Sequence, residues 1–220
     1  CTNFVFSSSC STYGKPEKVP IREDHPQKPI SPYGTSKLMV EQILGDYSEA
    51  YDFNYISLRY FNAAGADPEN EIGEAHNPET HLVPLAIFTA LGFRKEISVF
   101  GTDYETPDGS AVRDYTHVVD ISSAHVSSLE HLRSGKGSNS INLGTGQGYS
   151  VLEIIKAVER ASGKKLPVVY GERRLGDPAT LVAYPDKAIE LLNWKPKYSS
   201  LEAIISTAWE WHTKNIQNIV

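Results

Sequence analysis

The chain has 220 residues, 40% hydrophobic and 22% charged, the make-up of a globular protein long enough to bury a core. Twenty-one basic residues stand against 27 acidic ones, and the net charge of −6 argues against nucleic acid or an anionic membrane as the main partner. The only two cysteines, Cys1 and Cys10, exclude a disulfide framework, no apolar run nears the ~18 residues of a membrane span, and no secretory leader opens the sequence, so a reduced, cytoplasmic protein is expected.

NFVFSSS (3–9) reads as a short buried strand ending in three serines. SPYGTSKLMVEQILGDYSEAY (31–51) reads as a helix, with Ser31 as N-cap, Pro32 at the first helical position and apolar residues at helical spacing. NYISLRYFN (54–62) is a second strand, rich in β-branched and aromatic residues. Strand, helix and strand at this spacing form a βαβ unit and hence a parallel sheet.

AAGADPENEIGEAHNPET (63–80) is polar and punctuated by Gly and Pro, a surface excursion. A helix with an internal proline (81–93), a strand (96–101) and a loop-rich stretch (102–118) follow. Residues 118–135 form an amphipathic helix with Asp120 near its start. Residues 140–163 read as strand, glycine turn and helix, and the tail adds a strand (166–171) and two helices (185–194 and 200–215). No internal repeat or low-complexity segment is visible.

LGTGQG (143–148) sits between strand and helix, where a dinucleotide fingerprint belongs. Its third glycine comes two residues after the second rather than three, and no acidic residue closes a strand ~20 residues on. A tight turn onto the following helix is the expectation.

Tyr33 and Lys37 are spaced i,i+4 and so share one helix face. An ammonium group held beside a phenol favours the phenolate, which gives a proton acceptor for a hydroxyl and suits alcohol oxidation. The alternative is a solvated pair on an amphipathic helix. A strand ending in serines places hydroxyls at the carboxyl edge of a sheet, where open α/β sheets bind ligands. Ser9 could bond the same substrate oxygen as Tyr33, whereas Ser7 and Ser8 also suit ordinary turn positions.

In this order and spacing FSSSCSTYG, SPYGTSK and LRYFNAAGAD resemble the extended short-chain dehydrogenase/reductase superfamily. GEAHNPETHLVPL, VFGTDYETPDGSAVRDYTHVVD, NLGTGQGYSV and RRLGDPA narrow the resemblance to its UDP-glucose 4-epimerases, over essentially all 220 residues. The resemblance implies an α/β fold, the C-terminal part of a Rossmann-like parallel sheet plus a smaller α/β substrate-binding lobe. Residues 1–66 would supply later strands and the catalytic helix of the NAD-binding domain, and 67–220 mainly the sugar-nucleotide lobe, with about 114–150 returning to the sheet.

It further implies NAD as cofactor and UDP-glucose and UDP-galactose as substrates, interconverted by transient oxidation at C4. Ser9, Tyr33 and Lys37 would be catalytic. Ser7, Ser8, Tyr60 and Phe61 would join them around the cofactor. Asn62, His81, Leu82, Ser98, Val99, Phe100, Arg113, Arg174, Asp177 and Leu181 would hold the UDP-sugar, and no metal ligand is expected.

Each role has a plainer alternative beside it: surface ion pairs for Arg113 and Arg174, an N-cap before Pro178 for Asp177, a turn residue for Asn62, helix capping for His81. Trp209 and Trp211 suit packing, as does Cys10. Leu181, four residues after Asp177, leaves an N-acetylated sugar or a pentose open as substrate, and a non-catalytic UDP-binding fragment is a reading from another class. A homodimer through the Tyr33 helix is expected by analogy. The superfamily seats its pyrophosphate on a glycine-rich strand–turn–helix. No such element precedes Cys1, so the 220 residues alone are expected to bind NAD poorly and to lack activity.

Overall fold

A computed structural model describes residues 1–218. Strand β1 (Asn3–Ser9) leads through helix α1 (Pro32–Ala50) to β2 (Asn54–Tyr60), and β7 (Asn139–Leu143) lies on the far side of β2. All three strands run parallel, Ser9 opposite Tyr60 and Tyr60 opposite Leu143, so their carboxyl ends share one edge. Ser31 caps α1 by accepting from the Gly34 amide at 3.1 Å, with Pro32 in the first turn, where its missing N–H costs nothing.

One face of the sheet is apolar. Ile56, Leu58, Ile141 and Leu143 are fully buried there against Ile121, Ala124 and Leu132 of α3 (Val118–Arg133). Ala188 and Leu192 of α5 (Asp186–Leu192), with Trp194, close the same core, so a segment far along the chain also packs on the sheet.

The α1 face holds a polar network instead. Arg59 gives Glu41 two parallel hydrogen bonds, Nε to Oε1 at 2.9 Å and Nη2 to Oε2 at 2.5 Å, and its Nη1 donates to the Tyr13 hydroxyl at 2.8 Å. Tyr13 in turn donates to Asn142 Oδ1 at 2.7 Å, and Ser8 Oγ donates to Glu41 at 2.5 Å. A bidentate guanidinium–carboxylate pair with its remaining lone pairs satisfied is the arrangement that tolerates burial.

The second body forms around α2 (Leu82–Leu91), α4 (Val151–Ser162), α6 (Leu201–Asn215) and the parallel pair β4 (Ile97–Phe100) and β9 (Val168–Gly171). Pro84 sits in the first turn of α2 and leaves the helix intact. A capping box at Ser150 and Glu153 starts α4. His212 is buried against Phe88 and Trp211, and that burial pushes its imidazole down to about 4.

The loop-rich reading of 102–118 gives way to two short strands, β5 (Val112–Arg113) and β6 (Tyr115–His117). β6 pairs with β3 (Asn62–Ala64), and β5 lies between β8 (Tyr149–Ser150) and β10 (Thr180–Leu181). Strands of two and three residues show no periodicity, and only their partners define them.

The glycine turn 143–148 behaves as a turn. Asp114 accepts from the Thr145 amide and hydroxyl, each at 2.9 Å, and from the Gly146 and Ala183 amides at 3.1 and 3.2 Å. Gly144 is required by this close approach, because an added Cβ would stand 2.5 Å from Asp114 Oδ2. Among the described residues no helix is long and apolar enough to cross a membrane.

Candidate active site

Tyr33 and Lys37 leave α1 on one face, the Lys37 ammonium 5.5 Å from the Tyr33 ring centroid. Lys37 Nζ also donates to the Ser7 carbonyl at 2.9 Å, which ties the helix to the carboxyl end of β1. The tyrosine ring is 54% exposed and open to a ligand. Gly34 makes the approach possible, since a Cβ there would lie 2.4 Å from the Ser11 carbonyl oxygen. FSSSCS and SPYGTSK therefore meet backbone to backbone.

The serines diverge by strand alternation. Ser7 Oγ meets His125 Nε2 at 3.0 Å on the α3 side, while Ser8 faces α1 and is fully buried on Glu41. The structure thus does not present the Ser8 hydroxyl to the open face. Ser9 is 7% exposed, with its oxygen 3.1 Å from the Ser11 amide and hydroxyl at a short 3-10 turn over Cys10–Thr12. Tyr60 is half-buried beside His125, whereas Phe61 packs with Cys10, Tyr13 and Ile21 and turns its ring into that core.

Burial raises the Tyr60 phenol and pushes the Tyr13 phenol and the Cys10 thiol up to about 12. Cys10 is a packing residue.

A cavity of about 400 Å³ lies between β3, the start of α2 and β4. Asn62, His81, Leu82, Ser98, Phe100, Arg113, Arg174 and Asp177 all line it. Val99 does not, because alternation along β4 sends its side chain into the second core, 1% exposed, while Ser98 and Phe100 face outward.

Arg113, 12% exposed at its side chain, pairs with Asp177, an ion pair but a largely buried one. The Arg174 guanidinium lies over Phe100, 4.2 Å from the ring centroid. His81 occupies the N-cap position of α2 without capping it through its side chain. A second cavity, about 350 Å³, is lined by Cys10, Ser11, Ser31 and Leu181 and shares Arg174 and Asp177 with the first. Those two residues thus border both the cavity beside the end of β1 and the larger cavity.

The model of the NAD dependent epimerase/dehydratase family matches residues 1–144. The chain belongs to that family. It is 54% identical over 215 residues to the UDP-glucose 4-epimerase of Rhizobium leguminosarum bv. trifolii, covering 98% of this chain and 65% of that relative. It is also similar to the crystal structure of UDP-glucose 4-epimerase from Brucella ovis in complex with NAD, with TM-score 0.92, 49% identity and coverage of 95% and 64%. UDP-glucose-4-epimerase from Stenotrophomonas maltophila, with bound NAD and formylated UDP-arabinopyranose, superposes with TM-score 0.94 at 40% identity, covering 99% and 65%. The chain thus spans just under two thirds of the length of these epimerases.

Sequence reasoning missed several residues that the fold brings to this region of the family member. Arg94 lines the larger cavity, but a lone arginine after a helix carries no signal. Glu74, His76 and Glu79 gather around His81, and here the spacing E-x-H-x-x-E-x-H inside a polar loop was a usable sign.

Proposed function

We propose that this chain carries the catalytic and sugar-nucleotide-binding residues of a UDP-glucose 4-epimerase, interconverting UDP-glucose and UDP-galactose. The observation that carries the reading is Tyr33 and Lys37 on one open face at the carboxyl end of β1, with Arg174 and Asp177 bordering both that region and a cavity large enough for a sugar nucleotide.

In this reading NAD, when bound, supplies the hydride acceptor and donor for C4 of the sugar. The donor set fits the nicotinamide half of that cofactor: Lys37, Tyr33, Ser7 and Ser9 stand at the sheet edge, with Tyr60 alongside. The glycine turn does not fit a pyrophosphate, because its amides already serve Asp114.

Tyr33 accepts the proton of the sugar 4-hydroxyl and returns it when the opposite configuration forms. Lys37 stabilises the negative charge on the phenol oxygen, and Ser9 hydrogen-bonds the reacting oxygen. Arg113 and Arg174 clamp the diphosphate, holding UDP while the sugar presents its other face. Asp177 accepts from the ribose hydroxyls, and Ser98 and Phe100 line the nucleoside end.

The test incubates an enzyme at the length of its relatives, carrying this sequence, with NAD and each of UDP-galactose, UDP-N-acetylglucosamine and UDP-arabinose, and separates the products. UDP-glucose formed from UDP-galactose supports the reading. UDP binding without any 4-epimer would overturn it in favour of a binding fragment. Turnover of the acetylated sugar or the pentose is the second reading, which Leu181, a side chain of intermediate size in the wall of the second cavity, leaves open.

Arg174→Leu is expected to raise KM for UDP-galactose about 10- to 100-fold with kcat little changed, the effect of losing one charge-assisted contact to a phosphate. A fall confined to kcat would assign Arg174 to the chemistry instead.

A homodimer and a cytoplasmic site of action complete the proposal. Met39, Ile43 and Tyr47 of α1, with Tyr51 just past its end, are exposed apolar residues that suit helix packing between two copies. Ile43→Glu is expected to shift the protein to monomer in analytical ultracentrifugation, and an unchanged sedimentation coefficient would discard this surface.

A further inference from the structure

Glu74, His76, Glu79 and His81 place four potential ligand atoms within 4.8 Å of one another. Glu74 Oε1 lies 3.0 Å from His76 Nδ1 and 2.7 Å from His81 Nδ1. Glu79 Oε1 lies 2.8 Å from the same His81 nitrogen, and Glu79 Oε2 is 3.8 Å from His76 Nδ1.

As a hydrogen-bonded cluster this arrangement does not close. His81 Nδ1 carries at most one hydrogen, yet faces two carboxylate oxygens at bonding distance. The Glu79 side chain is only 4% exposed, and its Oε2 is buried without a hydrogen-bond partner.

We propose that these four residues bind a first-row divalent cation of the zinc type. Two carboxylates and two neutral imidazoles carry two negative charges, which such an ion cancels, and it gives Glu79 Oε2 and the contested His81 nitrogen a common partner. Bonds of ~2.0–2.1 Å in a tetrahedral site set ligand atoms about 3.3 Å apart, and the candidate ligand atoms, which approach to 2.7 Å and all lie within 4.8 Å of one another, are spaced around that value. Imidazole nitrogen selects zinc, cobalt or nickel over calcium and magnesium, which take oxygen ligands.

The ligands are held in advance of any ion. Glu79 Oε1 accepts from the Thr80 and His81 amides at 2.6 and 2.7 Å, leaving Oε2 toward the cluster. Gly73 lies flat on the Trp211 ring, where a Cβ would come within 2.1 Å, so the loop is fixed to α6 one residue before Glu74. Because Glu74 and His81 also line the larger cavity, the ion fixes one wall of it.

The test frees the protein of metal with a chelator, titrates it with Co²⁺ followed by visible absorption, and displaces the Co²⁺ with Zn²⁺. It needs no sugar nucleotide, so it stands or falls separately from the epimerase reading. One equivalent of Co²⁺ is expected to give a visible band that Zn²⁺ removes, and Zn²⁺ is expected to raise the melting temperature. His76, whose side chain is 58% exposed, is the variant least able to disturb folding. His76→Ala is expected to weaken Zn²⁺ binding at least tenfold and to abolish the thermal shift, Glu79→Gln to do the same, and His25→Ala to do neither. No band at one equivalent, or His76→Ala binding as tightly as the parent, would overturn the site.

Discussion

Tyr33→Phe is expected to lower turnover of UDP-galactose by about 10²- to 10⁴-fold, the contribution of a positioned proton acceptor, while leaving UDP affinity nearly unchanged. The argument rests on where the hydroxyl is and on what surrounds it. Among the tyrosines at this end of the sheet, Tyr13 is spent on Arg59 and Asn142 and Tyr60 is raised by burial, whereas Tyr33 is open and has an ammonium beside its ring. Phenylalanine keeps the ring, its packing and the Gly34 contact with Ser11, and removes only the oxygen. The loss therefore belongs in kcat, since in the proposed reading Arg113 and Arg174, not Tyr33, hold UDP. Steady-state kinetics and UDP titration, carried out in the enzyme at the length of its relatives, separate the two quantities. Comparable turnover in the variant would remove Tyr33 from the chemistry.

Arg59→Met is expected to cost about 3–5 kcal/mol of stability, because it leaves the Glu41 carboxylate buried without its charge partner. Both side chains are 5% exposed, so water cannot take the place of the guanidinium. For a chain of this size the melting temperature falls by roughly 10 °C. The paired change Arg59→Met with Glu41→Leu is expected to recover most of that loss, since it removes both charges at similar volume. A double variant no more stable than the single would place the energy in packing instead.

The pH dependence carries the same signature. Burial alone would raise the Glu41 carboxyl, but hydrogen bonds and charge from Arg59, with Ser8 and Gln27, hold it below its ordinary value of 4.5. A depressed carboxyl contributes stability that is fully present above the unfolded value and lost as pH falls through the folded one. The parent should thus lose this increment on acidification below 4.5, and the double variant should show a flatter acid limb in denaturant melts.

What the sequence made legible follows from how local each signal is. Tyr33 and Lys37 are one turn apart, so helix geometry alone brings them together, and Ser31 with Pro32 marks where that helix begins. Ser8 suited a turn in the sequence, but its buried bond was not legible, because β1 is covered by both α1 and α3 and nothing local says which face carries the charges. Its partner Glu41 is 33 residues away. Val99 could have been assigned to the core, since its neighbours Ser98 and Phe100 must face the other way on any strand. β5 and β6 were hidden by their shortness. Arg94 came to the cavity only through the packing of α2, whereas the glutamates around His81 stand at a spacing that a sequence can show.

The glycine turn after β7 is an anion receptor already filled from within. A diphosphate held as proposed would find the donors of this turn taken, which leaves Arg113, Arg174 and the amides at the start of α2 to receive it. Its affinity should then fall as ionic strength rises, and Asp114, by filling the turn, is the reason.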